Sequence, residues 1–111
     1  MGVLAEYVAR KFGVKTRATV NPVTNSCAVT ATVLLRNNPD RLAATVVNLG
    51  ANVIYLAWDR GVGAAHGIYV APNGGAQMFI ADEDGELVGY ELFGIALVGA
   101  VDVFVVEVEG E

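Results

Sequence analysis

The chain has 111 residues, enough for one domain that buries about 65% of the surface of its unfolded chain without staples. Its 54% apolar content excludes disorder, and its single cysteine excludes a disulfide framework and any multi-cysteine zinc site. Its net charge of −5 argues against a nucleic-acid binder, which needs a basic surface.

Residues 2–12 read as a short amphipathic helix, because Leu4, Val8 and Phe12 recur on one face with Val3 and Tyr7 beside them. Glu6 near its start and Arg10 and Lys11 near its end suit the helix dipole, and Gly13 is placed to cap it. A helix of about eleven residues is marginal alone, so it docks on its own sheet or on a neighbour. Residues 14–20 alternate as a half-exposed strand, with Val14, Thr16, Ala18 and Val20 facing one way and Lys15, Arg17 and Thr19 the other. A break from Asn21-Pro22 to Ser26 precedes a second strand over 27–35, with Val29, Ala31, Val33 and Leu35 on one face.

Asn37-Asn38-Pro39-Asp40 is a turn, since Pro sets φ and Asn and Asp bond their own backbone. Residues 41–49 form a strand that is apolar on both faces in its middle, as a buried strand is. After the tight connection 50–52, residues 53–58 form its expected hairpin partner. A glycine-rich loop spans 59–67, a short strand 68–71, and Pro72-Asn73-Gly74-Gly75 is a strong turn signal. A strand over 77–81 leads to the acidic loop 82–86. The remaining strands are expected within 87–97, centred on 92–97, and over 101–108.

The 19 Val, 4 Ile and 6 Thr support this reading, because branched side chains pack well on a pleated surface. Seven or eight short antiparallel strands at regular spacing predict an all-β chain: one small β-sandwich or jelly-roll-like barrel over 14–108, preceded by the helix or arm 1–13. No domain boundary, linker or repeat interrupts residues 1–111. The high apolar content suits a homo-oligomer, because a small domain cannot hide that much apolar surface alone. Charge is split: residues 1–60 carry seven Lys and Arg against three acids, a net of +4, and residues 61–111 carry nine acids and no Lys or Arg. The halves either neutralise each other within the domain or dock head to tail. No targeting segment is expected. Glu6 stands where a myristoylation site needs Ser or Thr, and no basic region leads into an apolar run at the start. The near-apolar stretch 92–106 is interrupted by Asp102 and is too short for a bilayer, so no membrane partner is expected.

Chemistry is thinly supplied. Ser26, Cys27 and His66 are each the sole residue of their kind, and Cys27 in a Val- and Ala-rich context reads as a buried hydrophobe rather than a nucleophile. Asp82-Glu83-Asp84-Gly85-Glu86 gathers oxygens that suit calcium, but the glycine comes too early for an EF-hand, so an acidic solvated turn is expected and no metal. Gly61-Val62-Gly63 lacks the third glycine of a dinucleotide fingerprint and opens no helix, so no cofactor is expected. Trp58 and Tyr55 close a strand beside Asp59 and Arg60, where they either anchor a partner or cap a sandwich core.

The order of turns and strands over 37–108 resembles a small β module of tailed-bacteriophage virion proteins. The family pattern appears here as Asn38-Pro39-Asp40-Arg41, Asn48-Leu49-Gly50, Val53-Ile54-Tyr55-Leu56, Gly67-Ile68-Tyr69-Val70-Ala71-Pro72-Asn73-Gly74, Leu92-Phe93-Gly94-Ile95-Ala96, and the closing run 103–107. The chain departs from it in its helical start and its Ala-rich strands. The resemblance implies a head decoration or minor structural protein of the virion, assembled in the host cytoplasm, trimeric, with the major capsid protein or another virion protein as partner. It implies no enzyme activity. The expected contacts are Leu4, Val8 and Phe12 on the N-terminal anchor and Tyr55, Trp58, Arg60 and His66 around the 59–66 loop. A small carbohydrate- or partner-binding module near Trp58 and Tyr55, and a non-viral oligomeric scaffold, are the alternatives.

Overall fold

Short runs of β-branched residues, punctuated by Asn, Pro and Gly, favour strand pairing throughout. The computed structural model describes residues 16–81 and 85–110. In chain order the strands are β1 (Thr16–Val20), β2 (Ser26–Cys27), β3 (Thr32–Leu35), β4 (Arg41–Asn48), β5 (Ile54–Ala57), β6 (Ile68–Val70), β7 (Ala76–Ile80), β8 (Leu92–Ile95) and β9 (Val101–Gly110), with a 3-10 helix, Gly85–Gly89, before β8. They form two antiparallel sheets, β1-β9-β4-β7 and β3-β8-β5-β6. β2 pairs with β9 along the same edge as β1. The expected helix over 2–12 lies outside the described residues. No described helix is long and apolar enough to cross a membrane.

The core lies between the sheets. Ala44 and Val46 of β4 and Val101, Val103 and Val105 of β9 meet Ile54, Leu56, Val70 and Leu92 of the other sheet. Gly94 leaves room for Leu34 and Cys27, because a Cβ at this position would stand 2.7 Å from Leu34 Cδ1 and 3.1 Å from Cys27 Sγ, and Leu34 would have to shift.

Two sequence expectations change, and the direction of the β1 faces, which the alternation left open, is set. The strand expected over 27–35 is two strands, because the chain leaves the first sheet after Cys27 and joins the second at Thr32. Val29 is therefore exposed, and a register shift between Val33 and Leu35 turns both Leu34 and Leu35 into the core. The hairpin expected from 41–49 and 53–58 does not form. β4 pairs with β7 and β9, whereas β5 pairs with β6 and β8. The connection is drawn across the end of the sandwich instead. Buried Asn48 donates to the Asn52 carbonyl at 2.8 Å and accepts from the Gly50 amide at 3.0 Å, while the Leu49 amide donates to the Asp102 carbonyl at 2.9 Å. Finally, the apolar side of β1 points outward. Ala18 and Val20 are exposed, and Arg17 lies on the opposite side, bonded to Glu109.

That outward side continues across the sheet. Pairing aligns Val20, Val106, Thr45 and Met78 in one row and Ala18, Val108, Ala43 and Ile80 in the next. A third row holds Phe104, Val47 and Ala76. Every one of these residues is exposed or half-exposed and none is ionisable. Among the described residues no element packs across this face.

Candidate functional site

The loop joining β5 to β6 builds the site on the second sheet. It closes on itself, since Gly63 and His66 exchange both backbone hydrogen bonds at 3.0 Å. Asp59 sets its mouth by accepting from the Gly61 amide at 2.8 Å and pairing with His66 Nε2 at 3.0 Å. The His66 contact, then the Gly61 amide, hold the Asp59 carboxyl below its usual range. Both side chains are largely exposed, so the pair shapes the loop more than it stabilises the fold.

The tip of the loop covers the outer face of its own sheet. Val62 is buried against a cluster made by Ala57, Phe93 and Ile95, with Val33 and Tyr55 at its edge. The Arg60 guanidinium lies 4.9 Å from the centre of the Phe93 ring, a cation–π contact of roughly 0.5–1 kcal/mol at an accessible site. Beside it Tyr55 and Tyr69, opposite each other on β5 and β6, meet edge to face with ring centres 5.9 Å apart. Tyr69 is 58% exposed. The result is a surface of two tyrosines and an arginine, the residue types that anchor protein interfaces.

Trp58 leaves this surface. It packs edge to face on Phe79 of the other sheet, with centres 5.6 Å apart, and closes one end of the core. Its edge still lines a small open cleft of about 270 Å³ with Asp59, His66 and Ile68. The structure thus brings Arg60 and Tyr55 to one face and Trp58 and His66 to the adjoining cleft. Trp58 and Tyr55 do not form a single site. Leu4, Val8 and Phe12 lie outside the described residues.

The candidate nucleophiles are not assembled. Cys27 is fully buried in the core, and burial pushes its thiol up to about 11, so it stays protonated at neutral pH. His66 is held by Asp59. Among the described residues no group of three His, Cys, Asp or Glu could hold a metal ion. Of the acidic loop, residues 82–84 lie outside the description, and Gly85 and Glu86 begin the 3-10 helix.

A second polar centre was not anticipated. Arg41 is buried and makes four contacts: Glu107 Oε2 at 2.8 Å, the carbonyls of Val88 at 2.9 Å and Tyr90 at 3.1 Å, and the Arg36 carbonyl. Glu109 extends it by accepting from Asn38 at 2.8 Å and from Arg17. This ties the segment after β3, the 3-10 helix, β4 and β9 together at one end of the sandwich. The signal was present: Glu107 falls in phase with the core-facing Val101, Val103 and Val105, and a carboxylate there needs a cation. The buried side-chain polar atoms of the centre all have partners, and open clefts of about 670 and 440 Å³ border it.

No family model, curated protein or solved structure matches the chain.

Proposed function

We propose that the protein is a structural component of a virion, a decoration or cementing protein that binds at subunit junctions of a capsid shell as a small homo-oligomer. The observation that carries this reading is the Tyr55, Arg60 and Tyr69 surface, a contact face on a sandwich whose described residues assemble no catalytic group. The strand order supports it. Sheets β1-β9-β4-β7 and β3-β8-β5-β6, with β1 and β2 sharing one edge, have the order of an eight-position jelly roll, an architecture used by viral capsid proteins and lectins. The motif resemblance over 37–108 supports it further. Binding only to the assembled shell would stabilise that shell by mass action. The major capsid protein or another virion protein is the proposed partner, and the host cytoplasm is the place of assembly.

The test is co-sedimentation of the purified protein with shells of the phage whose genome encodes it. Saturable binding, a raised shell melting temperature, and loss of both in Tyr69→Ala/Arg60→Ala support the reading. Absence from the particle fraction overturns it. The cleft beside Trp58 favours a second reading, a carbohydrate-binding module. Saturable change in Trp58 fluorescence across a glycan panel, without shell binding, would establish that reading instead.

A further inference from the structure

The two ends of the sandwich are unlike. Strand β4 runs from Arg41 at one end to Asn48 at the other, about 24 Å away at strand rise. Four loops meet at the Asn48 end: 28–31, 49–53, 71–75 and 96–100. Backbone hydrogen bonds lock them together, since the Asn73 amide donates to the Gly50 carbonyl at 2.8 Å, Gly74 to Asn48 at 2.7 Å, and Ala96 to Ala28 at 2.9 Å. Asn52 Nδ2 adds a bond to the Gly99 carbonyl at 3.4 Å. None of the residues in these loops is ionisable, and all but Ala96 are exposed or half-exposed. Val98 is 83% exposed, and Val29, Leu49 and Leu97 stand about half open beside it. Large apolar side chains held outward on a tip without charges mark an interaction site.

The opposite end carries the complement. An open cleft of about 670 Å³ lies there, with walls of Pro39, Leu42, Ala81, Val88 and Tyr90. Its charged lining residues are Arg41, already paired with Glu107, and the exposed Glu86. One chain thus holds a convex apolar tip and a concave apolar cleft at opposite ends. Tip on tip would oppose two convex surfaces, and cleft on cleft would leave the tip in water. Tip in cleft covers both. A tip without charges gives up its water at no ionic cost, and loops already locked pay little for ordering. We infer that copies of this chain associate head to tail, the loop tip of one seated in the cleft beside the 3-10 helix of the next. The tip offers about 18 open residues, just short of the 20–30 that one side of a stable interface uses, so the association depends on concentration. A contact between two different surfaces closes into a ring or continues as a filament. It shares no residue with the Tyr55, Arg60 and Tyr69 surface and does not depend on shell binding.

Complementation tests it. The full-length parent, a tip variant (Leu97→Asp/Val98→Asp) and a cleft variant (Tyr90→Asp) are compared by light scattering over a wide range of concentration, with Trp58 fluorescence as the check on folding. The parent mass is expected to rise above one copy. Each variant alone is expected to need about tenfold more protein to reach the same mass. An equimolar mixture of the two recovers one tip-to-cleft contact and pairs one copy of each. Weakening that the mixture does not relieve overturns the inference, because the tip then meets another tip or a different surface. Variants that associate as the parent does also overturn it, as does a parent that stays monomeric at every concentration. Shell binding by a monomeric parent would leave the proposed function standing while this inference falls. Should either variant not fold, serine at the same positions replaces aspartate.

Discussion

The two outer faces of the sandwich are built from similar residues and finished differently. On β3-β8-β5-β6 the chain covers its own apolar cluster, because the loop after β5 seats Val62 on Ala57 and Phe93 and lays Arg60 over the ring. On β1-β9-β4-β7 no described element does so, and rows of Val, Ala, Thr and Met stand open. Apolar patterning alone therefore does not mark a core. Burial depends on whether a neighbouring segment has the length and attachment point to reach the face.

The contrast can be broken at graded cost. The largest effect is expected where both sheets are tied together. Glu107→Ala leaves the buried Arg41 guanidinium without its carboxylate, and loss of one partner of a buried pair costs about 3–5 kcal/mol; urea denaturation should show it, with both faces loosened together. Phe93→Ala, on the covered face, removes a buried ring and should cost about 3 kcal/mol. Phe104→Ala on the open face, in a chain lacking residues 1–13, should cost only about 1–2 kcal/mol, because the residue is already 40% exposed. Equal costs for the two phenylalanines would show that the faces do not differ.

Val62→Ala should cost about 1–2 kcal/mol by thinning the loop cover, and it should speed proteolysis within 59–67 more than elsewhere. The smallest effect is on pH dependence. The Asp59 and Glu109 carboxyls are held below their usual values by His66 and by Arg17 with Asn38. A lowered carboxylate contributes stability above its unfolded pKa, and that contribution is lost as pH falls through the folded value. The thermal midpoint should therefore hold from about pH 7 to 5 and fall below about pH 4. His66→Gln should remove only the His66 part of the Asp59 share, since the Gly61 amide still lowers that carboxyl.

Much of the strand pattern was legible because it is local. Asn38 does cap the 37–40 turn, its Oδ1 accepting the Asp40 amide at 3.0 Å, and such turn chemistry needs no distant partner. Burial alternates over the first seven residues of β9, with Val101, Val103, Val105 and Glu107 buried. The candidate site was half legible. A strand-end Trp and Tyr with Arg and His nearby marked the region, but their separation onto two surfaces was not visible. Residues three apart on a strand point to opposite faces, and the sequence pattern alone does not say which face another sheet will occupy.

The sequence by itself determined an all-β chain, the positions of most strands and turns, and the scarcity of groups that could perform catalysis. Those properties follow from side-chain branching, period-two alternation and turn residues acting over a few positions. Tertiary structure alone decided that β4 and β5 part into different sheets, that the apolar side of β1 faces outward, and that Arg41 finds Glu107, 66 residues away. Each of these is set by pairing between distant segments, where burial of the whole core, rather than any local preference, selects the arrangement.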